Sequence, residues 1–471
     1  MDSLTTQASL HLLQGRLLTR HEIEQLMSQH QVGVSIEALI ELLEARECVK
    51  EVKGGYQCQR CNNQRQDGFT TLHVSKEIEA NTSRVYCLNC LQMGRMIQGE
   101  YLYASPQRVV VKPVAETVLT WQGTLSSEQE RAAEDLIRSL EVPAYPHAII
   151  AVTGAGKTEM IFPVLAQVLK KGGRAAIASP RIDVCLELFP RLQQAFTSVA
   201  LLLLYGDAEE AYQYTSLVIC TTHQLLRFEH AFDLLIIDEV DAFPYARDSS
   251  LHFAVKRAVK PEGGKLVYLT ATPDDDMMQA VKRGELTQTV LPARYHGYPL
   301  PEPEFKWVGN WSQSIARCQK RSKLWRLLRN FLALEGVKLI FMPQITLAEA
   351  LFGWLSQSLP DCRMACVHSK DPERKAKVQA LREGQYDALI STTILERGVT
   401  FTNCHVCIVG AENDLYVTSA LVQMSGRVGR KSDYPTGQLI YAHGGVSRSM
   451  QRARKQIKQM NQDARGKGLV N

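Results

Sequence analysis

Residues 151–158, Ala-Val-Thr-Gly-Ala-Gly-Lys-Thr, have the types and spacing of a phosphate-binding loop. The loop follows the apolar run 148–150, which predicts a buried strand, and precedes a helical pattern that begins at Glu159. Glycines let successive backbone N–H groups point at one anion, and the lysine and hydroxyl that follow suit the β- and γ-phosphates and Mg²⁺. Ala151 stands where the usual pattern has its first glycine. The residues predicted to bind ATP are Thr153, Gly154, Ala155, Gly156, Lys157 and Thr158, with Thr158 also on Mg²⁺.

Two adjacent acids follow a second apolar run and complement this loop. Asp238 and Glu239 come directly after residues 232–237. At the end of a buried strand, Asp238 can hold Mg²⁺ through its water shell, and Glu239 can orient the water that attacks the γ-phosphate. Taken alone, each feature has a simpler interpretation: a glycine-rich turn without a ligand, or a solvated acidic turn. Together they predict hydrolysis of a nucleoside triphosphate.

A glutamine lies upstream of the loop. Gln129 is 28 residues before Lys157 and follows Ser126 and Ser127, either of which could cap a helix. Its amide both donates and accepts hydrogen bonds, which suits the edge of adenine. We therefore predict that Gln129 contacts the base, with a solvated glutamine at a helix start as the alternative.

The second half of the chain carries two arginines three residues apart. Residues 423–430 read Gln-Met-Ser-Gly-Arg-Val-Gly-Arg, a pattern interpreted as a helix start that places Arg427 and Arg430 on one helical face. Two planar cations of this kind could stabilise a γ-phosphate from across a cleft. A surface basic patch is the alternative.

Four of the 12 cysteines form two Cys-x-x-Cys pairs. Each pair can chelate one ion through two thiolates, and two pairs supply the four sulfur ligands of a closed tetrahedral Zn²⁺ site. Such a site has no open position, so its role would be structural. Buried thiols or a redox pair are the alternatives. The predicted zinc ligands are Cys58, Cys61, Cys87 and Cys90.

The elements that position these residues alternate between apolar runs and helical patterns. Polar residues cluster at the carboxyl ends of the runs, as in doubly wound parallel sheets. A proline-rich stretch, 292–303, separates two such series. The predicted strands are 148–150, 175–178, 217–220, 232–237 and 265–269 in the first series, and 338–342, 365–369, 386–391, 406–409 and 437–441 in the second.

The fold class predicted is α/β, with two tandem RecA-like parallel-sheet domains preceded by a small four-cysteine module. The chain has 471 residues, 45% of them hydrophobic, a net charge of +5 and no apolar run long enough for a membrane span. The first residues lack a signal-peptide pattern, and the cysteine usage is typical of a reducing compartment, which predicts a cytoplasmic protein. The predicted domains are a helical segment 1–53, a zinc module 54–105, RecA-like domains 106–300 and 301–445, and a basic tail 446–471.

The ordered motifs resemble those of superfamily 2 helicases over roughly residues 120–445. The four-cysteine module in front of the motor, the loop and its glutamate at 151–159, and Ser-Pro-Arg-Ile-Asp-Val at 179–184 together resemble the ComFA family of late competence proteins. Residues 238–241 read Asp-Glu-Val-Asp, which departs from the DEAD and DEAH spellings and argues against an RNA-remodelling subfamily.

The resemblance implies an ATP-driven motor on single-stranded DNA that works at the inner face of the membrane in DNA uptake. The partners it implies are other competence proteins: a ComFC-like protein, the uptake channel and proteins that handle single strands. It also implies that Gly398 contacts the nucleotide. The residues that it places on the nucleic acid backbone are Ser179, Arg181, Thr222, His223, Ser369 and Thr400.

Two other functions fit part of the pattern. A primosome-type replication-restart helicase also combines thiolate zinc with this motor, although the chain is short for one and has a single four-cysteine cluster. A DNA-binding scaffold could use ATP only as a structural ligand, but it would not need Glu239.

Overall fold

A computed structural model describes residues 3–74, 82–105, 118–206, 211–395 and 401–470. The chain divides into two compact units. The first comprises 1–149, 158–270 and 274–289, and the second comprises 150–157, 271–273 and 290–471. The phosphate loop therefore groups with the second unit.

The N-terminal part of the first unit contains strands as well as helices. Three strands form an antiparallel sheet in the order β1-β8-β2, a hairpin joins β3 to β4, and a second antiparallel sheet has the order β5-β6-β7. In chain order the elements are α1 (Ser3–Leu13), β1 (Leu17–Thr19), α2 (Arg20–Gln29), α3 (Ile36–Ile40), β2 (Glu44–Glu47), β3 (Val49–Val52), β4 (Gly55–Cys58), β5 (Phe69–Val74), β6 (Thr82–Cys87), β7 (Met96–Ile97) and β8 (Tyr101–Ala104).

The predicted helical segment 1–53 and its boundary with the zinc module are therefore wrong. Val49 pairs with Cys58, so a boundary at 53/54 would cut the β3-β4 hairpin. β8, at the end of the predicted module, pairs with both β1 and β2. The segment does contain α1, α2 and α3, but the residues after Ile40 turn and enter β2. Residues 3–104 are one structural module.

The rest of the first unit is built around a seven-stranded sheet with the order β11-β12-β10-β13-β14-β9-β15. The central pairs β10-β12, β10-β13, β11-β12 and β13-β14 are parallel, and the central strands are almost entirely buried. The elements are α4 (Ser127–Ser139), β9 (His147–Ala151), α5 (Lys157–Met160), α6 (Phe162–Lys170), β10 (Ala175–Ser179), α7 (Ile182–Ala195), β11 (Leu201–Leu204), β12 (Leu217–Thr221), β13 (Leu234–Asp238), α8 (Ser249–Ala258), β14 (Lys265–Thr270), α9 (Asp275–Lys282) and β15 (Thr287–Leu291).

The predicted parallel strands of this sheet are confirmed to within one or two residues. Continuous apolar runs produce them, because both faces of a parallel sheet are covered by helices. The edge strands β11 and β15 were not predicted. β15 was missed because it begins with three polar residues, Thr287, Gln288 and Thr289, and lacks the continuous apolar run of the central strands.

The second unit contains a six-stranded sheet with the order β16-β21-β20-β17-β19-β18, in which all five neighbouring pairs are parallel. The predicted strands of the second series are confirmed, and β16 is additional. The elements are β16 (Glu304–Trp307), α10 (Trp311–Ala316), α11 (Lys323–Leu332), β17 (Val337–Phe341), α12 (Ile345–Ser358), β18 (Met364–Val367), α13 (Arg374–Arg382), β19 (Ala388–Ser391), β20 (Cys404–Val409), α14 (Thr418–Ser425), β21 (Leu439–His443) and α15 (Arg448–Gly466).

The predicted boundary before a separate C-terminal tail is also wrong. α15 is a 19-residue helix whose buried face, which includes Met450, Ala453 and Ile457, packs against α14. Ser447 caps its first turn by accepting a hydrogen bond from the backbone N–H of Met450. The C-terminal helix therefore belongs to the core of the second unit. Among the residues that the structure describes, no helix combines the length and apolarity that a bilayer span requires.

One continuous core joins the N-terminal module to the seven-stranded sheet. Beside it lies an Arg–Glu–Arg triad, in which Glu22 of α2 pairs with the buried Arg60 and with the partly buried Arg227. Both guanidinium groups also donate to the carbonyl of Met93, at 3.1 and 3.2 Å. Burial opposes ionisation of Glu22, but the two arginines outweigh it and lower the pKa of this carboxyl group to about 2. Charge pairing thus fixes the module on the sheet.

Replacing Glu22 with Gln is predicted to destabilise the docking of α2 by about 3 kcal/mol at neutral pH, because the buried Arg60 and the partly buried Arg227 lose their anion. Gln preserves the capping role that Glu22 plays for Thr19, so only the charge is removed. The opening free energy of α2 amides, measured by hydrogen exchange, reports this change.

Glu24→Gln is the matched control, because Glu24 forms an exposed pair with Arg20 worth less than about 1 kcal/mol. The folded pKa of Glu22 is depressed, so its contribution is present above the unfolded pKa and is lost as the pH falls toward about 2. The difference in the opening free energy of α2 between the parent and Glu22→Gln should therefore become smaller as the pH falls. If Glu22→Gln and Glu24→Gln lowered the opening free energy of α2 equally, the claim that the triad stabilises this docking would be contradicted.

Candidate active site

The phosphate loop is a tight turn between β9 and α5. Gly154 and Gly156 have positive φ angles of 85° and 75°, which glycine adopts without strain. The backbone N–H of Ala155 donates to the carbonyl of Val152 at 3.2 Å, which closes the turn. Lys157 begins α5, and its side chain and that of Thr158 are half-buried. The turn has the backbone curvature that a triphosphate cradle requires.

The acidic pair lies at the carboxyl end of β13 and has an unusual backbone. Asp238 is the last residue of that strand and accepts a hydrogen bond from the backbone N–H of Glu239 at 2.9 Å. Glu239 has a φ of 58°, in the left-handed region that non-glycine residues rarely occupy. Such a conformation costs on the order of 1–3 kcal/mol and is concentrated at functional sites. Strain at the predicted water-orienting acid supports a site at this strand end.

Thr270 links the acidic segment to the next strand. Its hydroxyl donates to the carboxylate of Asp241 at 3.0 Å, and Thr270 is the last residue of β14, which pairs in parallel with β13. This hydrogen bond connects the segment that follows Asp238 and Glu239 to the end of β14, so a movement of the segment can affect β14. β14 lies between β13 and β9 in the sheet.

Gln129 takes part in a helix cap. Its side-chain carbonyl accepts from the backbone N–H of Ser126 at 2.9 Å, and the Ser126 hydroxyl accepts from the backbone N–H of Gln129, which forms a capping box at the start of α4. The side chain is buried. This confirms Ser126 as the cap residue, while a contact between Gln129 and adenine stays a prediction.

The arginine segment does not begin a helix, and that prediction is wrong. α14 ends at Ser425, Gly426 caps it, and residues 426–429 form turns. The apolar residues Leu421 and Met424 belong to the preceding helix, so the periodicity read as a helix start was that of a helix end. Arg427 is buried, and Arg430 is half-buried with its Nε donating to the carbonyl of Gly426 at 3.0 Å. The two arginines thus lie on a loop.

One site residue was not predicted. Arg294 lies between β15 and β16 and is 2% exposed. Its guanidinium donates to backbone carbonyls on both sides: to Thr153 at 3.2 Å, to Val428 at 2.8 Å, and to Gly429. These residues all belong to the second unit. A single buried cation therefore holds the phosphate loop and the arginine loop together.

Neighbouring contacts reinforce this connection. The backbone N–H of Tyr295 donates to the carbonyl of Gly154 at 3.3 Å. A Cβ added to Gly426 would collide with the side chain of Thr153, so only glycine allows this approach. Burial, together with the charge of Arg430, lowers the pKa of Arg294 to about 9. Arg294 is still charged at neutral pH, and its charge is stabilised by carbonyl dipoles.

The residues predicted to contact DNA differ in accessibility. Ser179 and Thr222 are fully buried, and the Ser179 hydroxyl accepts from the backbone N–H of Arg181 at 3.4 Å. These two side chains shape the strand ends and do not reach solvent. Arg181 and His223 are half-exposed. Burial lowers the pKa of His223.

The predicted DNA contacts in the second unit are only partly described. Ser369 is exposed just beyond β18. It follows His368, which lines a cleft of about 350 Å³ with Glu349 and Lys377. Thr400 and the predicted nucleotide contact Gly398 lie outside the described residues.

The four predicted zinc ligands form one buried cluster. Their Sγ atoms all lie within 4.8 Å of one another, with 3.7 Å between Cys58 and Cys90 and 3.6 Å between Cys61 and Cys87. A tetrahedral site with Zn–S bonds of about 2.3 Å would space its sulfurs by about 3.8 Å. The donor set and its spacing therefore fit Zn²⁺.

The surroundings of the cluster fit the same group. The Asn63 amide donates to the Cys87 sulfur at 3.9 Å, as a hydrogen bond to a thiolate ligand would require. From α8, Arg257 donates to the carbonyls of Gln59 and Arg60 at 3.1 and 2.8 Å. Hydrogen bonds thus connect the Cys58–Cys61 turn directly to helix α8.

Comparisons with known families identify three domains in order along the chain. The Competence protein ComFA N-terminal domain matches residues 4–104, the DEAD/DEAH box helicase domain matches 126–280, and the Helicase conserved C-terminal domain matches 319–432. The N-terminal match covers the whole module and crosses the boundary predicted at 53/54.

Two solved structures share the fold. The S. cerevisiae Dbp5 structure with RNA and ADP BeF3 has a TM-score of 0.54 and 18% identity, over 72% of this chain and 88% of that chain. RecG on a three-way DNA junction has a TM-score of 0.50 and 19% identity, over 74% and 47%. The likeness shows the fold, and the DEAD/DEAH box and C-terminal helicase domains define the chain as a superfamily 2 helicase-like ATPase.

Two curated proteins that match over most of their own length and of this chain identify the family more closely. The chain is 42% identical to Competence protein ComFA of Bacillus subtilis, over 87% of this chain and 86% of that protein. It is 40% identical to Competence protein ComFA of Streptococcus pneumoniae, over 96% and 98%. The chain belongs to the ComFA family.

Replacing Cys58 with Ser is predicted to reduce bound zinc from about one ion per chain to nearly none, because a three-thiolate site is no longer closed. Cys318→Ser is the matched control, since Cys318 is an exposed thiol outside the cluster, and should retain the metal. Elemental analysis of the purified proteins measures both. A parent protein without zinc, or full zinc in Cys58→Ser, would contradict the assignment.

Proposed function

We propose that this chain is an ATP-driven motor on single-stranded DNA that takes part in the uptake of transforming DNA. Membership of the ComFA family is the observation that carries the proposal, because the two relatives named for competence match nearly the whole chain. The same membership favours uptake over a replication-restart role.

The chemistry proposed is hydrolysis of ATP. Backbone N–H groups of the phosphate loop and the Lys157 ammonium bind the phosphates, and Mg²⁺ held by Thr158 and Asp238 would neutralise charge on the β- and γ-phosphate oxygens. Glu239 orients and polarises the attacking water. Arg427 and Arg430 stabilise the charge that spreads over the γ-phosphate as its bond to the β-phosphate bridging oxygen breaks.

The coupling to DNA is proposed to run through the ends of the parallel strands. Arg181 follows β10, His223 follows β12, and their neighbours Ser179 and Thr221 are directly paired in the sheet. Side chains that contact phosphates do not read sequence, which suits a motor that handles any strand. The family resemblance extends the proposal to work at the inner face of the membrane with other competence proteins.

Lys157→Ala is predicted to lower ATP turnover by about a hundredfold or more, because the phosphates lose their cation in the transition state. Turnover should be measured with and without single-stranded DNA, with duplex DNA and with RNA, at stated salt. The parent should be stimulated most by single-stranded DNA. Lys170→Ala, an exposed lysine of α6, is the control and should turn over like the parent.

A second measurement separates a motor from a scaffold. Glu239→Gln should bind ATP and DNA but fail to displace streptavidin from biotinylated single-stranded DNA, which the parent should displace in the presence of ATP. Displacement that persists in Glu239→Gln, or normal turnover by Lys157→Ala, would reject the site assignment.

A further inference from the structure

The basic charge of this chain is concentrated on its last helix. α15 contains six arginines and lysines and a single aspartate, a net charge of +5. The whole chain also has a net charge of +5. The remaining residues are therefore neutral in sum, and the excess of positive charge resides on one helix of 19 residues.

Five of the six cations lie on the outer face of that helix, and Arg454 is half-buried over the ring of Phe305. Its inner face is apolar or small, and Asn461 exchanges two hydrogen bonds with the backbone of Leu300. Arg448, Arg452 and Lys455 are exposed and fall within one stripe, at rises of about 6 and 4.5 Å along the axis. The other exposed residues of the helix are Gln451, Lys458, Gln459, Gln462, Arg465 and Gly466.

The inner face of α15 lies next to the phosphate loop. The Gln456 amide donates to the carbonyl of Ala271, which follows Thr270, at 3.1 Å. Ile457 and Met460 line a cavity together with Val152 and Thr153 of the phosphate loop. These residues belong to the second unit. A ligand bound to the outer face of α15 is therefore separated from the phosphate loop only by the width of this helix, so its binding can affect the loop.

We propose that the outer face of α15 binds the phosphate backbone of single-stranded DNA and that this contact raises ATP turnover through Gln456 and the inner face. The inference rests on the proposed function, in which single-stranded DNA is the substrate on which the motor acts. Charge complementarity favours a polyanion, and exposed glutamines can donate to phosphate or sugar oxygens. A bilayer is disfavoured because the exposed residues of this helix include no apolar side chain that could enter it, while its apolar face is buried in the protein.

The test variant is Arg448→Gln/Arg452→Gln/Lys455→Gln. Each phosphate contact with a single strand contributes about 0.7 to the slope of log affinity against log salt, so three lost contacts should reduce the slope by roughly 2. The half-maximal DNA concentration for ATPase stimulation should rise in parallel by about tenfold or more. Anisotropy of a labelled oligothymidylate gives the slope, and a thermal unfolding midpoint verifies folding.

The matched control is Lys170→Gln/Lys171→Gln/Lys282→Gln, which removes the same charge from exposed positions of the first unit. Its slope should equal that of the parent. Equal slopes for the control and the α15 variant would overturn the inference, and so would loss of binding to anionic phosphatidylglycerol vesicles with DNA binding intact. If the parent itself binds no single-stranded DNA, the proposed function fails first.

Discussion

The guanidinium of Arg294 is the interaction on which the rest of the site depends. It is buried, it has backbone carbonyls as partners, and these belong to two loops far apart in sequence. A desolvated cation is costly unless surrounding dipoles compensate it, so the carbonyls must stay where they are. The phosphate loop and the loop of Arg427 and Arg430 therefore have one common support.

The acidic strand end of the first unit has restraints of its own. Glu239 is held in a left-handed backbone conformation, Asp238 is oriented by the next backbone N–H, and Asp241 is tied to Thr270. Restraints of this kind leave the side chains at this strand end little freedom to lose, which is the basis of electrostatic preorganisation. The N-terminal module is joined to the sheet by the Glu22 triad and by Arg257, and its four-thiol cluster belongs to the same hydrophobic core as the strands of that sheet.

The elements set by local pattern could be predicted from the sequence. Apolar runs located the buried parallel strands, glycines with lysine located the phosphate loop, and two Cys-x-x-Cys pairs located the thiol cluster. The predicted domain boundaries were wrong where strands pair over long sequence separations. β8 pairs with β1 across some 85 residues and with β2 across more than 50, and no spacing rule reveals such pairs. The arginine loop was mistaken for a helix start because a helix end has the same apolar period.

Arg294 could not have been found from its neighbours in sequence. It lies in a proline-rich stretch interpreted as a linker, and its partners are carbonyl groups, which leave no trace in residue type. Only its position directly after the last strand of the first sheet could have served as a signal. Buried cations with backbone partners are in general visible only in three dimensions.

The most direct test of this account is a double-mutant cycle on ATP turnover with Arg294→Lys and Arg430→Gln. Lysine keeps the charge but cannot bridge both loops, so we predict a loss in kcat of about tenfold or more. If Arg294 acts by positioning the arginine loop, Arg294→Lys should have little further effect once Arg430 is replaced. Losses that multiply, with the thermal unfolding midpoint unchanged, would contradict the claim that Arg294 positions that loop.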